Sequence, residues 1–474
     1  MSAESGLLTP EQIVESALAA SRADGCVVVV TAGSQANVRW ANNTVTTNGV
    51  STSLSWYVVS VVGSAAGVVA ASAAAAGSTA AVAAVVQASH EAAKAAAAAG
   101  PARDAQPLVA PDPRMPAGGV QILAEPPAET SFSVYRNLLD DLAAAFGQAR
   151  SEDRILYGFA RHELDTVYLG SSTGLRRRWV QPTGSLELNA KSADLTRSSW
   201  AGVSTADFQD VDLTQMAASL TRRLDWARKS IDLAPGRYDT VLPPTAVADF
   251  MVYLAWSAGG RPAHEGRSVF SRPGGGTKVG ERLTGRPLTV YSDPGYPGLA
   301  AQPFVTAAGS SDEVSVFDNG APVGRVDLVR DGVVSGLLHT RATAAEYGEP
   351  FAPPVDNIVV TGGDEQRSID DLVAGVERGL LVTSQWYLRE VDPMTLLLTG
   401  LTRDGVFLVE RGEVVGAVNN FRFNVSPLDV LRQAVDVGAT EPALSREWSD
   451  WFTRSAMPPI RVEGFNMSSV SQAQ

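Results

Sequence analysis

Histidine and cysteine are scarce in this chain of 474 residues, with four of the first and one of the second. His264 is followed by Glu265, the opening of an H-E-x-x-H or H-E-x-x-x-H helix, in which two imidazoles one turn apart share a zinc ion. The second imidazole would fall at Ser268 or Val269. Gly259, Gly260 and Pro262 give the segment a loop composition, so the fragment reads as chance. His90, His162 and His339 are far apart in sequence and read as surface or core residues. Cys26 opens a valine run with no histidine or cation beside it, which points to a buried structural thiol. A lone cysteine closes no internal disulfide and excludes the zinc folds that need two to four thiolates.

Three other strings carry chemistry in some proteins. Gly170-Ser171-Ser172-Thr173-Gly174 fits G-x-S-x-G, but a nucleophile elbow needs a helix after the serine. The run from Leu175 to Val180 reads as a strand, so a hairpin turn is the better reading. Gly274-Gly275-Gly276-Thr277-Lys278 lacks the Gly-Lys-Ser/Thr ending of a phosphate loop and is either a flexible loop or the lining of a groove around Lys278. Arg176, Arg177 and Arg178 beside Trp179 form a short basic cluster. With 38 basic residues against 51 acidic ones and a net charge of −13, a solvated strand face is favoured over nucleic-acid binding.

The elements that would position these residues begin with a marked asymmetry. Between Arg39 and Glu91 no residue is charged. The run is long enough for a membrane span, but from Ala65 to Ala88 it lacks Leu, Ile and Phe, the residues that drive insertion. Turn signals at Asn42-Asn43 and Asn48-Gly49 predict successive antiparallel strands over 38–47, 51–63 and 65–71. Ser78 then caps an alanine-rich helix that ends at Gly100-Pro101. Thr9, Pro10 and Gln12 signpost a first helix with a capping box. Glu4 and Glu11 stand where a signal peptide would be basic, so the expected location is cytoplasmic, with no membrane contact.

The fold class expected is α+β: an N-terminal antiparallel sheet with helices, followed by a large, mainly antiparallel β C-terminal domain. The expected divisions are 1–115, 116–232 and 233–474, with a proline-rich linker at 101–117. In the second region a helix is expected over 131–149, then strands over 155–161, 165–169, 174–180 and 184–189, then a helix capped by Asp212. The third region opens with a strand over 238–242 and a helix over 245–257. Strands follow at 288–291, 313–317, 324–329, 333–339, 358–360, 380–390, 395–399, 406–410 and 413–418. Asp331-Gly332 and Arg411-Gly412 are hairpin turns, and Ser368 and Ser426 cap two short helices.

The C-terminal third holds three informative strings: Leu381-Val382-Thr383-Ser384-Gln385-Trp386-Tyr387-Leu388-Arg389, Thr399-Gly400-Leu401-Thr402-Arg403-Asp404-Gly405-Val406-Phe407 and Asn420-Phe421-Arg422-Phe423-Asn424. With Gly266-Arg267-Ser268-Val269-Phe270 and the early block from Val38 to Thr46, they resemble the TldD/PmbA, or modulator-of-gyrase, family over essentially the whole chain. That resemblance implies a cytoplasmic peptidase of two related subunits. The TldD-type subunit carries H-E-x-x-x-H and a distal cysteine and holds zinc; the TldE/PmbA-type subunit lacks them. The helix expected to bear the motif, 245–257, contains no histidine, and the sole cysteine is Cys26.

The resemblance therefore implies the TldE-like branch. This chain would have no catalytic or metal residues and no cofactor of its own, with zinc in a TldD-type partner and an extended peptide as substrate. Two other readings stay open: a self-sufficient homodimeric peptidase with an unrecognised site, and a non-enzymatic peptide-binding or gyrase-modulating protein. Arg403 and Asp404 are either a charged hairpin turn or an anchor for a peptide carboxylate or the subunit contact. With Lys278 they are the candidate groove or interface residues.

Overall fold

The computed structural model describes residues 6–112 and 121–471. The start of the chain, the boundary expected at 115/116 and part of the linker at 101–117 lie outside the described residues. The chain is mixed α+β, with largely antiparallel sheets and a large C-terminal β region. Among the described residues no helix is long and apolar enough to cross a membrane.

The N-terminal sheet contains β1 (Gly25–Ala41), β2 (Thr44–Val62), β3 (Ala65–Ser72), β4 (Arg154–Ser171), β5 (Arg176–Ser192) and β6 (Ser198–Thr205), in the order β3-β2-β1-β4-β5-β6. β1 pairs with β2 on one side and β4 on the other, so the strands expected for 1–115 and 116–232 share one sheet. Val28 and Val30 of β1 pack under the helices, while Val27 and Val29 face the C-terminal body. This valine run is buried on both faces, which is why it lacks a polar alternation.

The uncharged stretch becomes β2, β3 and a helix packed across them. Helix α1 (Pro10–Ala20) has the expected capping box from Thr9 and Gln12, and α2 (Thr79–Ala99) is capped by Ser78. The small residues of α2 allow close approach. The buried Ser89 hydroxyl meets the Gly67 carbonyl at 2.9 Å and the Ser60 hydroxyl at 2.9 Å. A methyl group on Gly67 would lie 2.2 Å from the Ala93 amide nitrogen.

The short helix α3 (Gln121–Ala124) joins α1 and α2 through Leu123, while on the other part of the sheet lie α4 (Arg136–Ser151) and α5 (Leu213–Trp226), the last capped by Asp212. Leu138, Leu142 and Phe146 of α4 join Leu220 and Leu224 of α5 over Trp40, Leu186 and Leu188 of the sheet.

In the C-terminal body, helix α6 (Pro244–Trp256) is wrapped by strands. A ten-stranded sheet runs from the edge strand Gln385–Asp392 through Leu397–Thr402, Phe421–Val425, Ile460–Val470, Gly236–Leu242, Arg378–Val382, Val406–Glu410 and Glu413–Val418 to Ser230–Ile231, with Ala434–Val437 paired to Ile460–Val470. A six-stranded sheet contains Val333–Val334, Val326–Arg330, Thr289–Ser292, Ile358–Thr361, Ser455–Met457 and Glu441–Ala443. Apart from Asp249, the buried positions of α6 are apolar on every side, as befits a helix enclosed by its neighbours.

Several boundaries differ from those expected. The strand expected over 38–47 is split by a turn at Asn42 and Asn43, which adopt φ 53° and 57°. The Asn43 side chain bonds the Arg154 carbonyl and the Leu156 amide, which fixes the turn there. Asn48 and Gly49 instead pair with Val38 and Asn37 inside the hairpin. The strand expected over 380–390 breaks at Thr383 and Ser384, where the Thr383 hydroxyl turns to the Gly405 carbonyl.

The strand expected over 313–317 is a 3-10 turn, Val316–Asp318, capped by Ser315. The strand expected over 333–339 ends at Val334. The pairs expected within 155–169 and 174–189 are single long strands, β4 and β5. The segment to which Gly259, Gly260 and Pro262 give a loop composition begins with a short helix, Gly260–His264.

Packing at Gly67 gives a direct test. Gly67→Val should lower stability by about 1–3 kcal/mol, the usual penalty for overpacking, read as an earlier urea midpoint. An unchanged midpoint would mean that α2 does not rest on β3 as described.

Candidate functional site

α6 is the helix on which the family resemblance places H-E-x-x-x-H, and its one carboxylate is Asp249. Asp249 is completely buried. Its Oδ1 accepts the Ser445 hydroxyl at 2.6 Å and the Glu447 amide at 2.9 Å, and its carbonyl accepts the Trp448 indole N–H at 2.9 Å. Oδ2 has no hydrogen-bond partner among the described residues. Burial pushes the carboxyl up to about 7, against the opposing hydrogen bonds from Ser445 and Glu447.

A zinc centre of that kind needs two imidazoles on one face of the helix. α6 has neither histidine nor cysteine, and the bonded oxygen of Asp249 is already taken. The residues present do not fit zinc.

The segment that seats Asp249 also locks Arg403 and Asp404, which do not form the expected hairpin turn: the strands they connect, Leu397–Thr402 and Val406–Glu410, pair with other strands and are not neighbours in the sheet. Arg446 pairs with Asp404 and bonds the Ser384 hydroxyl, and its guanidinium lies over Trp200 at 5.1 Å and Trp386 at 5.2 Å. Ser198 of β6 bonds Asp404 as well, so this tie joins the N-terminal sheet to the C-terminal body. Burial acts to raise Asp404, but the Arg446 charge and the bonds from Ser198 and Arg446 hold it below the usual carboxylate value. Arg403 stacks on Trp386 and stays partly exposed. Asp404 and Gly405 both take positive φ where the chain leaves one strand for a distant one.

Lys278 lies elsewhere. It donates to the Val269 carbonyl at 2.7 Å and lines a cleft of about 330 Å³ with Glu281, Met394, Ser426 and Asp429, a lining that excludes Arg403 and Asp404.

The remaining sequence candidates are structural. Glu265 is held down to about 2 by hydrogen bonds from Arg267 and Arg103. The His264 ring stacks on Tyr347 at 4.0 Å, with His339 6.0 Å away. Cys26 is buried and pushed up to about 11 by desolvation. Gly170 and Ser171 end β4, and Ser172 to Gly174 lie in the turn to β5. Arg176 pairs with Glu15, and Arg178 with Glu125.

A larger cleft, about 650 Å³, opens at the seam between the N-terminal sheet and the body. β1, β4 and β5 contribute one wall through Thr31, Asp165 and Gln181; Ala255 and Trp256 at the end of α6 contribute to the other. Sequence reasoning missed this cleft and the Asp249 node. A lone acid in an apolar helix was the one available signal, since its partner Ser445 is 196 positions away.

A long-stranded antiparallel sheet docked on a β-rich body with one enclosed helix defines the architecture. Residues 235–469 match the PmbA/TldA metallopeptidase C-terminal domain, and residues 125–228 match the central domain of the same family. The chain belongs to the PmbA/TldD family. No curated protein sequence gives a match.

Among solved structures, TldE from Thermococcus kodakarensis superposes with a TM-score of 0.75 at 17% identity, covering 96% of this chain and 99% of that one. A candidate DNA gyrase modulator from Bacteroides thetaiotaomicron gives 0.73 at 15% identity, covering 97% and 98%. One from Thermotoga maritima gives 0.70 at 15%, covering 93% and 95%. At these identities the likeness establishes the shared fold.

Two measurements test the node. Asp249 is raised from 3.8 to about 7 in the folded chain. The native state therefore binds more protons than the unfolded one over that interval, and the contribution to stability falls as pH rises from about 4 to about 7. The Tm difference between Asp249→Asn and wild type should move in favour of the variant across that window and then level off. A flat difference would refute the assignment. Arg446→Ala leaves the buried Asp404 with only the partly exposed Arg403 at 3.7 Å as a cation and should cost about 2–4 kcal/mol in a denaturant titration. A loss under about 1 kcal/mol would mean an exposed pair.

Proposed function

We propose that this chain is the metal-free, TldE-type subunit of a two-subunit peptidase. Its partner is a TldD-type chain that carries H-E-x-x-x-H and holds the zinc, and the two act in the cytoplasm on unfolded or precursor peptides. The observation that carries this reading is α6. Where the family resemblance calls for metal ligands, this helix is packed as core without histidine or cysteine, and one oxygen of its single carboxylate is taken by Ser445 and Glu447.

A subunit without ligands still has work to do. It can shape the cleft and keep folded proteins away from the partner's metal. An extended peptide can be held through its main chain as an added strand, which tolerates many sequences. The seam cleft, open to solvent and walled by sheet and helix, supplies space for side chains of such a peptide.

Co-expression with a TldD-type chain tests this. The expected result is a stable heterodimer by light scattering and peptide cleavage that chelators abolish. Histidine substitutions in the partner should abolish cleavage too, while the isolated chain neither binds stoichiometric zinc nor cleaves. Chelator-sensitive cleavage by the isolated chain would overturn the proposal in favour of a self-sufficient enzyme. A complex that binds peptides and never cleaves them would favour a binding protein.

A further inference from the structure

The seam cleft has an uneven lining. Trp256, Phe304, Phe452, Pro353 and Pro354 give it apolar walls, and Trp451 stands at it with 79% of its surface exposed. An indole left this open beside a concave apolar surface marks a contact site.

The charges are uneven as well. Asp165, Glu313, Asp356 and Arg454 line the cleft. Arg454 is committed: it pairs with the Asp356 carboxylate, donates to the Asp356 carbonyl at 2.9 Å and meets the Thr183 hydroxyl at 2.7 Å. Asp356 is thereby neutralised by contact.

Asp165 and Glu313 are not. Among the described residues, no basic side chain forms an ion pair with either. Glu313 receives the Ser311 hydroxyl at 3.1 Å. Asp165 is pushed up to about 6, first by burial and then by the Glu163 charge, with Arg454 and Arg161 opposing from beyond bonding distance. Two carboxyl groups thus face a half-dry cavity beside aromatic walls without a cation of their own. A ligand cation would relieve that cost at Asp165 and gain from the indole faces, whereas a ligand carboxylate would be repelled.

We infer that the seam cleft selects peptide segments in which a basic side chain lies next to an aromatic or large aliphatic one, the cation facing Asp165 and Glu313 and the apolar group facing Trp256 and Trp451. This rests on the peptide-handling role proposed above and names the class of peptide.

The test uses three labelled, end-blocked tetrapeptides that differ only in the residue after phenylalanine: Gly-Phe-Lys-Gly, Gly-Phe-Gln-Gly and Gly-Phe-Glu-Gly. Fluorescence anisotropy measures their binding to the isolated chain and to the heterodimer. The Lys peptide should bind tighter than the Gln peptide on the order of fivefold, as a partly exposed ion pair supplies, with the Glu peptide weakest. The Lys preference should shrink in high salt. In the Asp165→Asn, Glu313→Gln double variant the three affinities should converge, with thermal unfolding confirming that the variant folds; Asp165→Asn alone should give an intermediate ratio.

Equal affinities in the wild type, a preference for the Glu peptide, a Lys preference that survives the double variant, or no binding by either chain or heterodimer would each overturn the inference. The two proposals fail separately. A heterodimer that cleaves without charge preference overturns only this one. Charge-selective binding by a chain that never pairs with a TldD-type subunit overturns only the other.

Discussion

Asp249 sits within α6, sealed from water, and accepts hydrogen bonds from the Ser445 hydroxyl and the Glu447 amide. An ionised carboxylate in that setting would carry a large desolvation penalty, so the site favours the protonated form and its seat depends on those two donors. The consequences spread along residues 445–448. Arg446 reaches Asp404, Ser384 and the two indoles. Glu447 takes the Tyr387 amide and Arg389 at the edge strand. Trp448 packs on Tyr253 and Trp256. One buried acid therefore sets the path of the segment that ties the ten-stranded sheet, α6 and β6 together.

The docking of the N-terminal sheet on the body follows another constraint. Val27, Val29, Val59, Leu169 and Leu175 meet Phe304, Val316 and Phe317 across the seam. Polar fasteners sit around that apolar contact: Tyr57 to Asn319 at 3.2 Å and Gln181 to the Ala300 carbonyl at 2.9 Å. The apolar contact supplies most of the affinity and the fasteners set orientation, because a buried amide left unpaired is costly. The cleft lies where the contact gives way to Asp165 and Thr183 on the sheet side.

What the sequence made legible was local. Thr9, Ser78, Asp212 and Ser368 cap helices as expected, because a cap is decided within four residues. Asp331-Gly332 and Arg411-Gly412 turn as expected, with positive φ at all four positions. The choice between Asn42-Asn43 and Asn48-Gly49 was not local. Both suit a turn, and bonds from Asn43 to β4, more than a hundred residues on, select the first. The site was less legible still. The missing imidazoles on α6 were plain, but Asp249, Ser445 and Arg446 acquire meaning only when the fold brings them together. Arg403 and Asp404 were visible as a break between two strands, while the partner that makes Asp404 a structural anchor was not.

A helix that presents metal ligands must keep one face open to a reactant. α6 does the reverse: Ala246 to Val252 are all buried, and only near its C-terminal end does Trp256 emerge, 44% exposed. The exposed end is where the same helix meets the seam cleft. The orientation of Trp256 is fixed through Trp448, whose indole N–H is held by the Asp249 carbonyl. The link from α6 to the cleft thus runs through the main-chain carbonyl at position 249, while the Asp249 carboxyl acts one step earlier by seating residues 445–447, which lead into Trp448.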